Sequence, residues 1–148
     1  MAHFIEVPAD QLQDALRRAG FGIMGTDGEI VYERSHDVNK ALRIRVYTSL
    51  SQGAASTREC GQDAIRATLV WWDASQRRAW AIAKSTRVHR TGTVDGVLTR
   101  MLDRARDLYV IANQIVRAAK KCGACGAPGY PDSGRCIRAY DHQKLGVV

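Results

Sequence analysis

An α+β fold, with an antiparallel β-meander packed on a long C-terminal helix, is what three patterns in this 148-residue sequence predict. Leu42 to Leu50 and Ala64 to Trp72 each alternate with a period of two, as half-buried strands do. From Val94 to Ala119 the apolar residues recur at spacings of three and four, a helical period. Beyond Lys121 the composition shifts to Gly, Pro and Cys, which marks a separate small tail. The division is therefore a core over residues 1–121 and a tail over residues 122–148.

Phe4-Ile5-Glu6-Val7 reads as a short strand. Pro8, with its fixed φ, opens a helix through Ala19, and Leu12, Ala15, Leu16 and Ala19 form one stripe. Gly20 ends that helix. Phe21 to Met24, the turn Gly25-Thr26-Asp27-Gly28 and Glu29 to Ser35 read together as a hairpin. In the next strand Leu42, Ile44, Val46 and Leu50 point one way, and Arg43, Arg45 and Tyr47 the other. Gln52 to Gln62 is polar and reads as a loop. In Ala64 to Trp72, Ile65, Leu69 and Trp71 share one face, and Arg66, Thr68, Val70 and Trp72 its opposite.

Asp73-Ala74-Ser75-Gln76 turns the chain into a long strand, Ala79 to Arg90. The result is a three- to five-stranded antiparallel sheet with one wet face. Thr93 N-caps the helix Thr93–Lys121, whose apolar stripe runs for about seven turns. Arg117, Lys120 and Lys121 sit at the negative end of its dipole. This helix is expected to cross the apolar face of the sheet, with its far end reaching toward another subunit.

Twenty-two Lys and Arg against 15 Asp and Glu leave a net charge of +7. Such an excess predicts attraction to polyanions, nucleic acid first and anionic membrane second. No apolar run approaches the roughly 20 residues that a spanning helix needs. Met1 to Glu6 lacks the basic start and apolar stretch of a signal peptide. The expectation is a cytoplasmic protein without a membrane partner. In that compartment thiols stay reduced, and the four cysteines read as metal ligands before disulfides.

The bases are clustered. Arg77 to Arg90 holds Arg77, Arg78, Lys84, Arg87 and Arg90, plus His89, with no acid. Arg43, Arg45 and Arg66 share the expected solvent face with Tyr47 and Trp72, and Lys84, Arg87 and Arg90 extend the strip. Each Lys or Arg that pairs with a phosphate releases counterions, and each aromatic can stack on a base. The competing reading is a merely solvated sheet face, with one of Trp71 and Trp72 buried in the core. On the long helix Arg100, Arg104 and Arg106 alternate with Asp103 and Asp107, a pattern for surface ion pairs.

In the tail, Cys122-Gly-Ala-Cys125-Gly is a knuckle turn that brings two thiolates to one ion. Cys136 supplies a third ligand, and His142 is the best fourth, ahead of Cys60 and Asp141. The reading is a Zn2+ site that orders a Gly- and Pro-rich stretch, so the fold class includes a zinc-knuckle tail. A redox dithiol and unliganded thiols are the alternatives, and no thioredoxin-like βαβ setting surrounds the pair.

Evidence for an enzyme is thin. The sequence holds no Gly-x-Ser-x-Gly, phosphate-binding loop or His-Glu-x-x-His. His3, His36, His89 and His142 make no catalytic pattern, and Asp63 and Asp73 read as turn residues. The segment Arg87 to Thr93 offers an anion site at a helix N-terminus.

The order helix, meander, long helix, together with the segment Asp63-Ala-Ile-Arg66-Ala-Thr-Leu-Val70, resembles the single-strand annealing proteins of phages and of eukaryotic recombination. The likeness covers roughly Arg43 to Arg117. The Cys-x-x-Cys-Gly-x-Pro tail is similar to half of a zinc ribbon of topoisomerase tails, with one cysteine where the second half of a ribbon has two. The resemblance implies single-stranded DNA binding along a basic groove, and annealing by a homo-oligomer in recombination or replication, without nucleotide hydrolysis. An RNA-binding or ribosome-associated module and a protein-interaction or regulatory protein stand as alternatives.

Overall fold

Residues 9–18 form the first helix, α1 (Ala9–Arg18), entered at Pro8, whose φ of −58° already suits a helix start. Asp10 in the first turn and Arg17 and Arg18 in the last complement its dipole. The chain then leaves by a Schellman turn: Phe21 N donates to Leu16 O at 2.9 Å and Gly20 N to Arg17 O at 3.0 Å. Gly20 carries φ +91°, left-handed space that an L side chain enters only under strain. Leu16 and Phe21 then meet in the core.

The computed structural model describes residues 5–26, 29–48, 64–118, 127–129 and 136–138. After α1 come β1 (Gly22–Thr26), β2 (Glu29–Ser35), β3 (Leu42–Thr48), β4 (Ala64–Asp73), β5 (Arg78–Lys84), β6 (Val88–His89) and the helix α2 (Val94–Ala118). All pairings are antiparallel. The order is β1-β2-β3-β4-β5, with β6 also on β4, in one six-stranded sheet. The fold is therefore α+β, an antiparallel sheet backed by a long helix.

The expected continuous strand from Ala79 to Arg90 is two strands. The ladder between β4 and β5 shifts register at Leu69/Val70. At Ser85 a hydroxyl replaces a carbonyl in the ladder: Ser85 N donates to Ala67 O at 2.8 Å, and Ala67 N donates to Ser85 Oγ at 3.0 Å. A side chain that competes for backbone donors ends regular pairing. The chain rejoins β4 only at Val88, opposite Ile65. The short strand expected before Pro8 is likewise absent over residues 5–7, where Ile5 N donates to Arg90 O at 2.7 Å. Phe4, Leu50 and the loop Gln52 to Gln62 lie outside the described residues.

Helix α2 starts as its sequence requires, with Thr93 Oγ1 accepting Gly96 N at 3.0 Å. Val97, Met101, Ala105, Leu108, Ala112 and Ile115 are its buried stripe. They pack against Leu42, Ile44 and Val46 of β3 and Ile65, Ala67 and Leu69 of β4. The turn from β2 to β3 is tied to this helix by His36. Its Nδ1 accepts Val38 N at 3.1 Å and Asn39 N at 3.2 Å, so Nε2 carries the proton and donates to Asn113 Oδ1 at 2.7 Å.

On the opposite flank the tail touches the sheet. Arg138 Nη1 lies 3.4 Å from Asp73 Oδ2, and its guanidinium is 4.8 Å from the Trp80 ring centroid. Gly129 and Cys136 form an isolated antiparallel bridge, and Ala127 is fully buried. Among the described residues no helix is long and apolar enough to cross a membrane.

Candidate nucleic-acid interface

Strand register decides which bases share a face. Arg43 pairs with Val70, Arg45 with Thr68 and Tyr47 with Arg66, while Ile44 pairs with Leu69 beneath α2. Lys84 stands opposite Thr68, and Trp72 opposite Ala79. Arg43, Arg45, Tyr47, Arg66, Trp72 and Lys84 thus occupy the sheet face opposite α2, as the alternation predicts. Arg87 and Arg90 flank β6 and are outside the paired positions, Arg87 exposed and Arg90 half-buried.

The bases on this face meet a carboxylate. Glu33 stands opposite Arg45 in register. Its Oε2 accepts Arg45 Nε at 2.8 Å and its Oε1 accepts Arg43 Nη1 at 3.4 Å. The side chains are largely enclosed, Glu33 at 8% exposure and Arg43 and Arg45 at 23% and 19%. Burial works against the Arg45 charge, but hydrogen bonds to Glu33 and Tyr47 outweigh it and raise its pKa above the usual arginine value. One carboxylate cannot neutralise two guanidinium groups. Arg66 and Lys84 stand on the same face in the adjoining registers.

Glu33 escaped the sequence reading, although its signal was present. It alternates with Tyr32 and Arg34 in β2, and with Tyr32 buried in the core Glu33 must face the other way.

The face is less wet than alternation alone implies. Tyr47, Thr68 and Val70 are buried on it; of the two half-buried tryptophans, Trp71 packs against the core on the α2 side, opposite Leu42, and Trp72 lies on this face. The physical reason is the length of arginine. The Arg43 guanidinium lies 5.2 Å from the Trp72 ring centroid, a cation–π contact that lays the stem across its neighbours. Arg66 is also drawn in, its Nε donating to Ser85 O at 3.1 Å.

The helix arginines depart from the ion-pair expectation. Arg100 Nη2 donates to Thr91 O at 2.8 Å, and Arg104 Nε to Thr86 Oγ1 at 2.9 Å. Both serve the irregular segment around β6, whose backbone oxygens have few ladder donors. Arg106 and Asp103, 3.8 Å apart, do form an exposed pair.

No family model, curated protein or solved structure matches this chain.

Of the expected zinc ligands, Cys122, Cys125 and His142 lie outside the described residues, as do Cys60 and Asp141. Cys136 is described and half-buried. Its Sγ accepts Arg138 N at 3.3 Å, the type of backbone bond that suits a metal-bound thiolate. The nearby Asp73 acts as the turn residue that the sequence suggests, accepting Ser75 N at 3.0 Å and Ser75 Oγ at 2.6 Å on Oδ1.

Proposed function

We propose that the sheet face opposite α2 binds single-stranded nucleic acid, DNA in preference, and that the protein anneals strands as a homo-oligomer in recombination or replication. One observation carries the reading: Arg43 and Arg45 share the single carboxylate of Glu33, beside the half-buried ring of Trp72. A phosphate, an acceptor-only anion, competes with Glu33 for Arg43 and Arg45. Tyr47, buried beside Arg45, then serves to hold that guanidinium rather than to stack on a base. Trp72 keeps an accessible part for stacking once Arg43 turns to a phosphate. Arg87 and Arg90 extend the track past β6. Holding a strand by its backbone leaves base edges free to pair, which is what annealing requires. On the same proposal the tail holds Zn2+ through Cys122, Cys125, Cys136 and His142, as a structural site.

The test is a salt titration of binding to single-stranded DNA, duplex DNA and RNA of matched sequence. Single-stranded DNA should bind most tightly. The double variant Arg43→Ala/Arg45→Ala should weaken binding and reduce the slope of log K against log salt by about 1 to 1.5. An unchanged slope removes the two arginines from the site. Tighter binding of RNA moves the reading to an RNA-binding module, and no binding at low salt moves it to a protein-interaction role.

A further inference from the structure

One helix is too narrow for this sheet. Five strands about 4.8 Å apart span roughly 19 Å, and a helix with its side chains covers about 10–12 Å. Because α2 lies over β3 and β4 and α1 packs beside α2, the helix-side flank over β1 and β2 has little helix above it. Cover there is incomplete, and Ile23 of β1 remains 41% exposed.

Between α2 and this flank lies a cavity of about 370 Å³, in the size range of small-ligand sites. Its apolar wall is Phe21, Ile44, Leu102, Ala105 and Val110. Arg34, Tyr109 and Asn113 add polar groups, and Arg106, already paired with Asp103, lies at the same cavity.

Arg34 is the informative residue. In register it pairs with Ile44, so it projects on the α2 side, opposite to Arg43 and Arg45. Its Nη1 donates to Ala19 O at 3.1 Å, and its guanidinium sits 4.5 Å from the Tyr109 ring centroid. Among the described residues no carboxylate pairs with it. With one carbonyl and one ring face as its neighbours, the planar Arg34 fork keeps donors available to an anion in the cavity.

Asn113 points to the same conclusion by a different route. His36 donates to its Oδ1, because the lone pair of His36 Nδ1 is already shared by two backbone N–H groups and the ring proton must sit on Nε2. The amide orientation follows, and Nδ2, with two N–H donors, has no partner among the described residues.

We propose that this cavity binds a small aryl or alkyl carboxylate, with the carboxylate taken by Arg34 and Asn113 Nδ2 and the apolar body lodged against Phe21, Ile44 and Leu102. The planar guanidinium fork matches a carboxylate, and the apolar wall selects against a fully hydrated anion. The site is independent of the nucleic-acid reading, since it uses the other face of the sheet.

The experiment titrates phenylacetate into the full chain and follows side-chain and backbone amide shifts by NMR. Phenylacetamide tests shape without charge, and inorganic phosphate tests charge without an apolar body. Saturable phenylacetate binding is expected, with shifts centred on Asn113 Nδ2 and Leu102. Arg34→Gln should weaken it by about tenfold or more. Val110→Trp, placed at an exposed position on the wall, should block entry while the circular dichroism stays that of the wild type. The proposal is overturned if the wild-type chain shows no saturable phenylacetate binding, or if phenylacetamide or phosphate binds as well. Phenylacetate binding that survives both substitutions overturns it too.

Discussion

At Glu33 a single carboxylate lies within reach of Arg43 and Arg45, and all three side chains are less than a quarter exposed. Removing its charge has two opposite consequences. Glu33→Gln leaves two partly enclosed guanidinium groups short of an anion, which should lower folding stability by about 1–3 kcal/mol in urea titration. The same change should tighten single-stranded DNA binding at low salt, because a phosphate no longer competes with an internal carboxylate. Loss of both stability and affinity would show that Glu33 orders the arginines instead of competing with the ligand. Arginine positions were legible from strand alternation, but their partner was not. Alternation assigns a face, whereas the Glu33 contact needs the β2–β3 register, set by a turn whose shape depends on the buried ring of His36.

The β4–β5 turn is tied to the tail through Arg138 and Asp73. Asp73 is held below the usual carboxylate range first by the Ser75 hydroxyl, then by backbone N–H groups of Ser75 and Gln76 and by Arg138, with burial acting against them. A carboxyl whose folded-state pKa is depressed stabilises the fold fully above its unfolded value, about 3.9, and loses that contribution as pH falls through the folded value. Acid should therefore loosen the turn and the Arg138 contact below the ordinary carboxylate range. Asp73→Asn should remove this part of the acid transition, read from the fluorescence of Trp80 against pH. A transition of unchanged shape would mean that other groups govern it. The elements themselves were largely readable. Thr93 as cap, Gly20 as terminator and the α2 stripe all follow from local chemistry. The break at Ser85 did not, because it depends on a hydroxyl bonding to Ala67, a residue on another strand.

For the whole molecule, one long helix covers the middle of a five-strand path, and each flank is finished differently. On the β1–β2 side lies the cavity beside Arg34, and on the β5 side Trp80 lies between Arg78, 4.0 Å from its ring centroid, and Arg138 of the tail. If the tail is a separate zinc-held unit, a chelator should remove about one zinc per chain, the four-ligand stoichiometry of a closed site. Trp80 fluorescence should then change while the urea transition of the core persists. Absence of zinc in the purified protein would overturn the ligand set. The sequence by itself determined the α+β class, the faces of β3 and β4 and the start and buried stripe of the main helix, because each depends on periodicities and caps that act within a few residues. Only the tertiary structure decided that Glu33 meets the basic strip, that the Arg43 guanidinium lies over Trp72, and that a cavity opens beside Arg34. Those features arise from register and from the mismatch between sheet width and helix width, which no local pattern encodes.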